Sequence, residues 1–225
     1  MPMPRRDGKR YDQYCPTARA LDVVGERWTL LIVRDLLMGP RRYTDLRAGL
    51  PGIATDILTA RLRTLEEAGF VRRRELRRPA PASVYELTER GRGLGAVVLA
   101  LGQVGLAELG GPRRGEDVRG ERIVIGLRVS FHRDRFPDLE ETYELTVDGE
   151  PYAVEVRNGT VETSLGTAED PAFKLRTDSR TLIALLRGEL APGKALSAHR
   201  AELDGERKAL TRFVDAFAFP AFAAA

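Results

Sequence analysis

With 225 residues, 43% of them hydrophobic and 31% charged, the chain suits one large domain or two small ones and is polar enough for water. It has no apolar run near the roughly 18–20 residues of a membrane span, and its one cysteine, Cys15, excludes an internal disulfide framework and leaves too few ligands for a structural zinc site. Residues 1–114 hold 21 of the 36 Lys and Arg but 13 of the 33 Asp and Glu, leaving 15 and 20 for the rest, so the net charge of +3 divides into about +8 and about −5. A basic first part attracts polyanions that an acidic second part repels, so the two parts have different tasks.

The opening MPMPRRDGKRYDQ has charge but no apolar run, unlike a secretory leader; it reads as a loose arm, and a cytoplasmic protein is expected. A short helix follows at Thr17–Val24, with Cys15 at its cap and Pro16 in its first turn. Glu26–Met38 is a stronger helix whose apolar stripe is interrupted by Asp35 alone, and Gly39-Pro40 ends it. Tyr43–Leu50 is a third helix and Pro51-Gly52 a turn. A fourth helix spans Ala54–Ala68, with Gly69 as terminator.

On that fourth helix, Leu58, Leu62 and Leu65 recur at helical spacing and face a core. The opposite side holds Thr55, Asp56, Thr59, Ala60 and Arg63, short or hydrogen-bonding groups suited to base edges in a major groove. Phe70–Leu76 and Val84–Thr88 form a hairpin carrying Arg72, Arg73, Arg74, Arg77 and Arg78. A run of arginines alone is as readily a solvated face, but directly after a helix-turn-helix it reads as a wing that touches phosphates. The candidate DNA contacts are Arg41, Arg42, Thr44, Thr55, Asp56, Thr59, Arg63, Arg73, Arg77 and Arg78.

Glu89–Leu109 is expected as one long helix capped by Thr88, with an apolar stripe of Leu94, Val97, Val98, Leu101, Val104 and Leu109. Its five glycines each cost about 1 kcal/mol of helix propensity. Close approach to a second copy would account for them, which makes this a dimer helix; the alternative is a core helix of the same domain. Gly110–Gly120 is a linker by composition.

Beyond it, Ile123–Phe131, Thr142–Val147, Tyr152–Val156, Val161–Ser164, Phe173–Arg176 and Ala198–Leu203 read as strands, with Asp148-Gly149 and Asn158-Gly159 as hairpin turns. Helices are expected at Ser179–Arg187 and Glu206–Phe217. The fold class is thus a mainly α winged helix-turn-helix domain at 1–110, a linker at 111–120, and an α+β domain at 121–225 with an antiparallel sheet and covering helices. The second domain shows no metal-ligand cluster, phosphate loop or nucleophile elbow. His132 and His199 have no acid-base partner by spacing, so neither a cofactor nor an enzymatic role is expected.

Cys15-Pro16, ALDVVGERWTLLIVRDLL, GPRRYTDLRAGLPGIATDILTARLRTLEEAGF and YELTERG together resemble the HxlR family of winged-helix regulators related to the MarR group, over residues 12–109. The resemblance implies a homodimer on palindromic operator DNA, the fourth helix in the major groove and the wing along the backbone or minor groove. Ala54 departs from the serine common there, and Asp56 stands where a basic or polar residue is more usual. Residues 121–220 are similar to sterol-carrier-protein-type domains through the hairpin series, FKLRTDSRTLIALLRGEL and HRAELDGERKALTRF. Such folds often enclose an apolar cavity, and Phe131, Phe173, Leu182, Leu185, Leu186, Phe213 and Phe217 would line one here if they are not plain core.

Cys15 has two readings: a small buried hydrophobe, or a thiolate favoured by the helix dipole and by Arg10 and Arg19. Some relatives with a cysteine at this place use it for redox sensing. With no second cysteine, oxidation would join two subunits or attach a small thiol. The expected function is a DNA-binding regulator, controlled by an apolar ligand in the second domain or by Cys15. The competing reading is a lipid or acyl carrier whose first domain is an interaction module.

Overall fold

The computed structural model describes residues 10–76 and 82–219. Its contacts separate two units, residues 1–98 and 99–225, so the division falls inside a helix rather than in the glycine-rich segment after it.

In the first unit, α1 (Pro16–Val24) starts from Cys15 in extended conformation with proline at its first position. The second helix, α2 (Thr29–Leu37), is shorter than its apolar pattern suggests. Trp28 adopts a left-handed φ of +79° at its cap, which stops the helix from extending back to Glu26. Such a backbone costs on the order of 1–3 kcal/mol for a residue with a side chain. The Arg27 guanidinium lies 5.0 Å from the Trp28 ring centroid. Asp35, the exception in the stripe, is buried and paired with Arg34 at 2.7 Å. It also packs against Gly49, where a Cβ would stand 2.9 Å from its Oδ2.

Next come β1 (Arg41–Arg42), α3 (Tyr43–Gly49) and α4 (Thr55–Glu67), then β2 (Val71–Leu76) and β3 (Ala82–Leu87). The strands form a three-stranded antiparallel sheet in the order β1-β3-β2. Leu58, Leu62 and Leu65 are at most 1% exposed and meet Ile32, Val33, Leu36, Leu46 and Leu50 in one core. Gly69, at φ +73°, ends α4 by letting the Phe70 amide turn back onto the Leu65 carbonyl at 2.9 Å.

The long helix expected at 89–109 is two: α5 (Glu89–Arg92) and α6 (Gly95–Ala107). Thr88 caps α5 as anticipated, accepting from the Gly91 amide at 3.0 Å. Two of the glycines have local reasons. A Cβ on Gly91 would come within 1.9 Å of the Phe70 carbonyl, and one on Gly95 within 3.1 Å of Leu37.

The second unit contains α7 (Gly120–Ser130), β4 (Glu141–Val147), β5 (Glu150–Arg157), β6 (Thr160–Leu165), β7 (Phe173–Thr177), α8 (Ser179–Leu186), α9 (Pro192–Ser197), β8 (Ala201–Gly205) and α10 (Arg207–Ala216). Both hairpin turns form where the dipeptides stand, with Asp148 and Gly149 at φ +52° and +88°. Two expectations are corrected. Ile123–Phe131 is not a strand: its isoleucines and valines favour one, but Ile123, Val124 and Leu127 recur at helical spacing and are buried as α7. Nor is the sheet purely antiparallel. Its order is β6-β5-β4-β7-β8, and β7 lies parallel to β4. Hairpin signals govern only strands that follow one another, whereas the chain from β6 crosses to the far side of β4 before entering β7.

The core of this unit is aromatic. Tyr143 has its ring 5.0 Å from those of both Phe173 and Phe213, and Phe213 is 4.8 Å from Phe217. Tyr143 donates to Glu141 at 2.7 Å, and Glu141 accepts in turn from Arg212. Burial, then the hydrogen bond to Glu141, push the Tyr143 phenol well above its ordinary value.

Candidate nucleic-acid interface

The sequence-derived candidates of the first unit fall on β1, α3, α4 and β2. Thr55, Asp56, Thr59 and Arg63 of α4 are exposed and Ala60 half-buried, so the helix turns its leucines inward and this edge outward. Arg63 is 71% exposed, with Glu67 one turn on at 3.7 Å. Arg61, two residues earlier, is held inward by Glu26 at 2.9 Å and is not part of the edge. On β1, Arg42 is exposed and Arg41 half-buried, and on α3, Thr44 and Arg47 are exposed. The Asp45 carboxylate accepts from the Arg42 amide at 3.1 Å, fixing the first turn of α3.

The cap residue Ala54 offers α4 no side-chain hydrogen bond. The first turn is held from another element instead: the Tyr43 hydroxyl lies 3.0 Å from the Thr55 carbonyl and 3.2 Å from Thr59 Oγ1. Thr59 Oγ1 itself donates to the Thr55 carbonyl at 2.9 Å. Tyr43 therefore joins the two helices at their outer face. Sequence inspection missed it, since an aromatic residue at the start of a helix reads as core.

On the wing, Arg72 and Arg74 share one carboxylate, Glu86 of the neighbouring strand, at 2.6 and 2.9 Å. Burial works to raise the Glu86 pKa, but hydrogen bonds and charge from the two arginines outweigh it and hold the carboxyl below its usual value. Arg73 points the other way, donates to Ser83 and has Glu75 at 3.6 Å. All three guanidinium groups remain about half exposed or more. Arg77 and Arg78 lie outside the described residues.

The end of α4, the root of the wing and α5 meet at one place. The Ala68 carbonyl accepts from Arg90 at 2.8 Å, the Gly69 carbonyl from the Thr88 hydroxyl at 2.7 Å, and the Phe70 carbonyl from the Thr88 amide at 3.0 Å. Arg90 also stacks on the Phe70 ring at 4.5 Å. The Ala68 carbonyl is that of the α4 C-cap, where a helix leaves carbonyls unpaired, and Gly69 and Phe70 follow it into the wing.

The other sequence-derived candidates lie elsewhere. Cys15 sits half-buried at the cap of α1, and hydrogen bonds from the amides of Ala18 and Thr17 lower its pKa; neither Arg10 nor Arg19 is the cause. In the second unit, Phe173, Leu182, Leu185, Leu186, Phe213 and Phe217 are all fully buried and Phe131 partly so, its ring 5.4 Å from Phe217. They form one contiguous core with rings in direct contact. His132 Nε2 makes a 2.8 Å hydrogen bond to the Ala218 carbonyl. Among the described residues no group of three or more His, Cys, Asp or Glu could hold a metal ion, and no helix is long and apolar enough to cross a membrane.

Residues 23–110 match the family described as HxlR-like helix-turn-helix, and residues 120–223 the one described as alkyl sulfatase C-terminal. The latter match does not single out a sterol-carrier domain. A helix-turn-helix-type transcriptional regulator of Synechocystis is 37% identical over 91 residues, which are 40% of this chain and 67% of the relative. The regulator YvaP of Bacillus subtilis is 33% identical over 87 residues, 38% of this chain and 81% of the relative. One from Mycobacterium tuberculosis is 45% identical over 87 residues, 39% of this chain; the match spans 54% of that relative's length.

Proposed function

The chain belongs to the HxlR-like helix-turn-helix family of transcriptional regulators, and from that premise we propose that it binds operator DNA as a homodimer. The observation that carries the proposal is the exposed edge of α4, Thr55, Asp56, Thr59 and Arg63, on the same unit as a wing with three exposed arginines. In this reading α4 enters the major groove and its short polar groups meet base edges. Arg41, Arg42 and Thr44 approach the flanking phosphates, as do Arg73, Arg77 and Arg78 of the wing, and they set affinity rather than sequence choice.

Each copy reads half a site. Val97, Leu101 and Val104 follow one another at helical spacing on α6 and are 44%, 54% and 71% exposed, with Leu109 at 56% beyond the helix end. A second copy covering that stripe completes the dimer, and the working compartment is the cytoplasm. Control is proposed at one of two places, through oxidation of the Cys15 thiol or through binding of an apolar molecule within the sterol-carrier-like core of the second unit. No catalytic role is assigned to either unit.

The test is fluorescence anisotropy of the full chain on duplexes from the promoter of its own gene and on random duplex, across a salt series. Tight promoter binding whose affinity falls steeply with salt supports the proposal; no binding to any duplex, or binding indifferent to salt, defeats it. Sedimentation of wild type against Leu101→Glu tests the second copy, which the variant should separate into monomers.

A further inference from the structure

Resting on the reading of α4 as the DNA-contacting helix, we infer that Tyr43 is a specificity-determining residue that fixes the Thr59 hydroxyl as a hydrogen-bond acceptor, selecting a base with a major-groove amino group. The inference comes from counting protons and lone pairs. A carbonyl oxygen has two lone pairs. The Thr55 carbonyl already accepts the helical bond from the Thr59 amide, one turn on, and the Thr59 hydroxyl at 2.9 Å. The Tyr43 hydroxyl, 3.0 Å from that carbonyl and 3.2 Å from Thr59 Oγ1, would be its third donor. Two closed arrangements give each of these groups a partner: Tyr43 donates to Thr59 Oγ1 and Thr59 to the Thr55 carbonyl, or Tyr43 donates to the Thr55 carbonyl and Thr59 to the Tyr43 oxygen.

In both arrangements the Thr59 proton is committed inward. The exposed side of Thr59 then offers lone pairs and a methyl group. In the major groove, adenine N6 and cytosine N4 are donors, whereas guanine N7 and O6 and thymine O4 are acceptors. A threonine locked as acceptor takes adenine or cytosine on the strand it faces and refuses guanine and thymine. Without the Tyr43 hydroxyl, Thr59 can rotate its proton outward and meet either kind of base.

The experiment recovers preferred sites for the full-length protein from a randomised duplex pool and reads the preference at each position by sequencing. Thr59→Val, which replaces the hydroxyl by a methyl of the same shape, identifies the pair it faces as the one whose preference flattens. There the wild type accepts adenine and cytosine interchangeably on one strand and disfavours the other two bases by roughly five-fold, the worth of one hydrogen bond. Tyr43→Phe should abolish that discrimination, leave the other positions and random-duplex affinity unchanged, and add nothing in a Thr59→Val background. Thermal unfolding and circular dichroism of the Phe variant should match wild type. A preference at that pair for purines, or for A·T over G·C regardless of strand, overturns the inference; so does an unaltered preference in Tyr43→Phe. Equal loss of selected and random duplex assigns Tyr43 a structural role and overturns it too. A wild type that recovers no consensus removes the DNA-binding proposal itself, and this inference with it.

Discussion

The two units spend their polar side chains in opposite directions. In the first, an aliphatic core of leucines and valines supports polar groups on the outside: Thr55, Thr59 and Arg63 on α4, and Arg72–Arg74 on β2. In the second, the most perturbed polar chemistry runs inward, with Tyr143 wholly buried on Glu141 amid phenylalanine rings. An exterior site tolerates change in its reading groups without loss of fold, because those groups bury little. An interior network couples each substitution to stability. The two regions should therefore respond differently to mutation.

The largest expected effect is in the second unit. Phe213→Ala removes a ring in contact with Tyr143, Phe173 and Phe217 and should cost about 3–5 kcal/mol, read as lost amide-exchange protection in β4 and β5. Leu62→Ala, at 1% exposure in the first core, should cost about 2–5 kcal/mol and weaken duplex binding as well, since it withdraws the support of α4. A duplex-binding defect from Leu62→Ala without any loss of stability would break the contrast between supporting core and reading surface.

Smaller effects belong to the surface. Arg73→Ala should leave thermal unfolding unchanged, lower affinity for all duplexes alike and reduce the salt slope by about 1. Glu86→Gln should act oppositely, freeing Arg72 and Arg74 and raising random-duplex affinity a few-fold, by roughly the release of one competing charge. A fall in affinity would mean that Glu86 orients the arginines more than it neutralises them. The smallest effect concerns Cys15. With its thiol pKa lowered by amide hydrogen bonds, alkylation by iodoacetamide should reach half its maximal rate at a lower pH than for a free thiol, and more so than in the unfolded chain.

What could be read from sequence was local. The α4 boundaries, the Thr88 cap and the two hairpins each depend on residues within one turn of one another: Gly69 after the last leucine, Thr88 before Gly91, Asp148 beside Gly149. What escaped was non-local or contrary to propensity. The helix α7 is built from residues that prefer strands, and packing overrides them. Parallel pairing of β4 with β7 is decided by a crossover, which leaves no mark in either strand. The exposed face of α4 was legible from periodicity, but not that Tyr43, sixteen residues before Thr59, completes its hydrogen bonding. Glu86 as the shared partner of two wing arginines was likewise hidden, because register is a property of the pair of strands.

The meeting of Ala68, Gly69 and Phe70 with Thr88, Arg90 and Gly91 has a geometric consequence. It clamps the far end of α4 and the near end of the wing to the same three peptide groups, with no clearance even for a methyl on Gly91. The two arms of this unit are thus the jaws of a caliper whose opening is set at the joint. In the DNA-bound state proposed above, the span between groove and backbone contacts would be the one this joint sets.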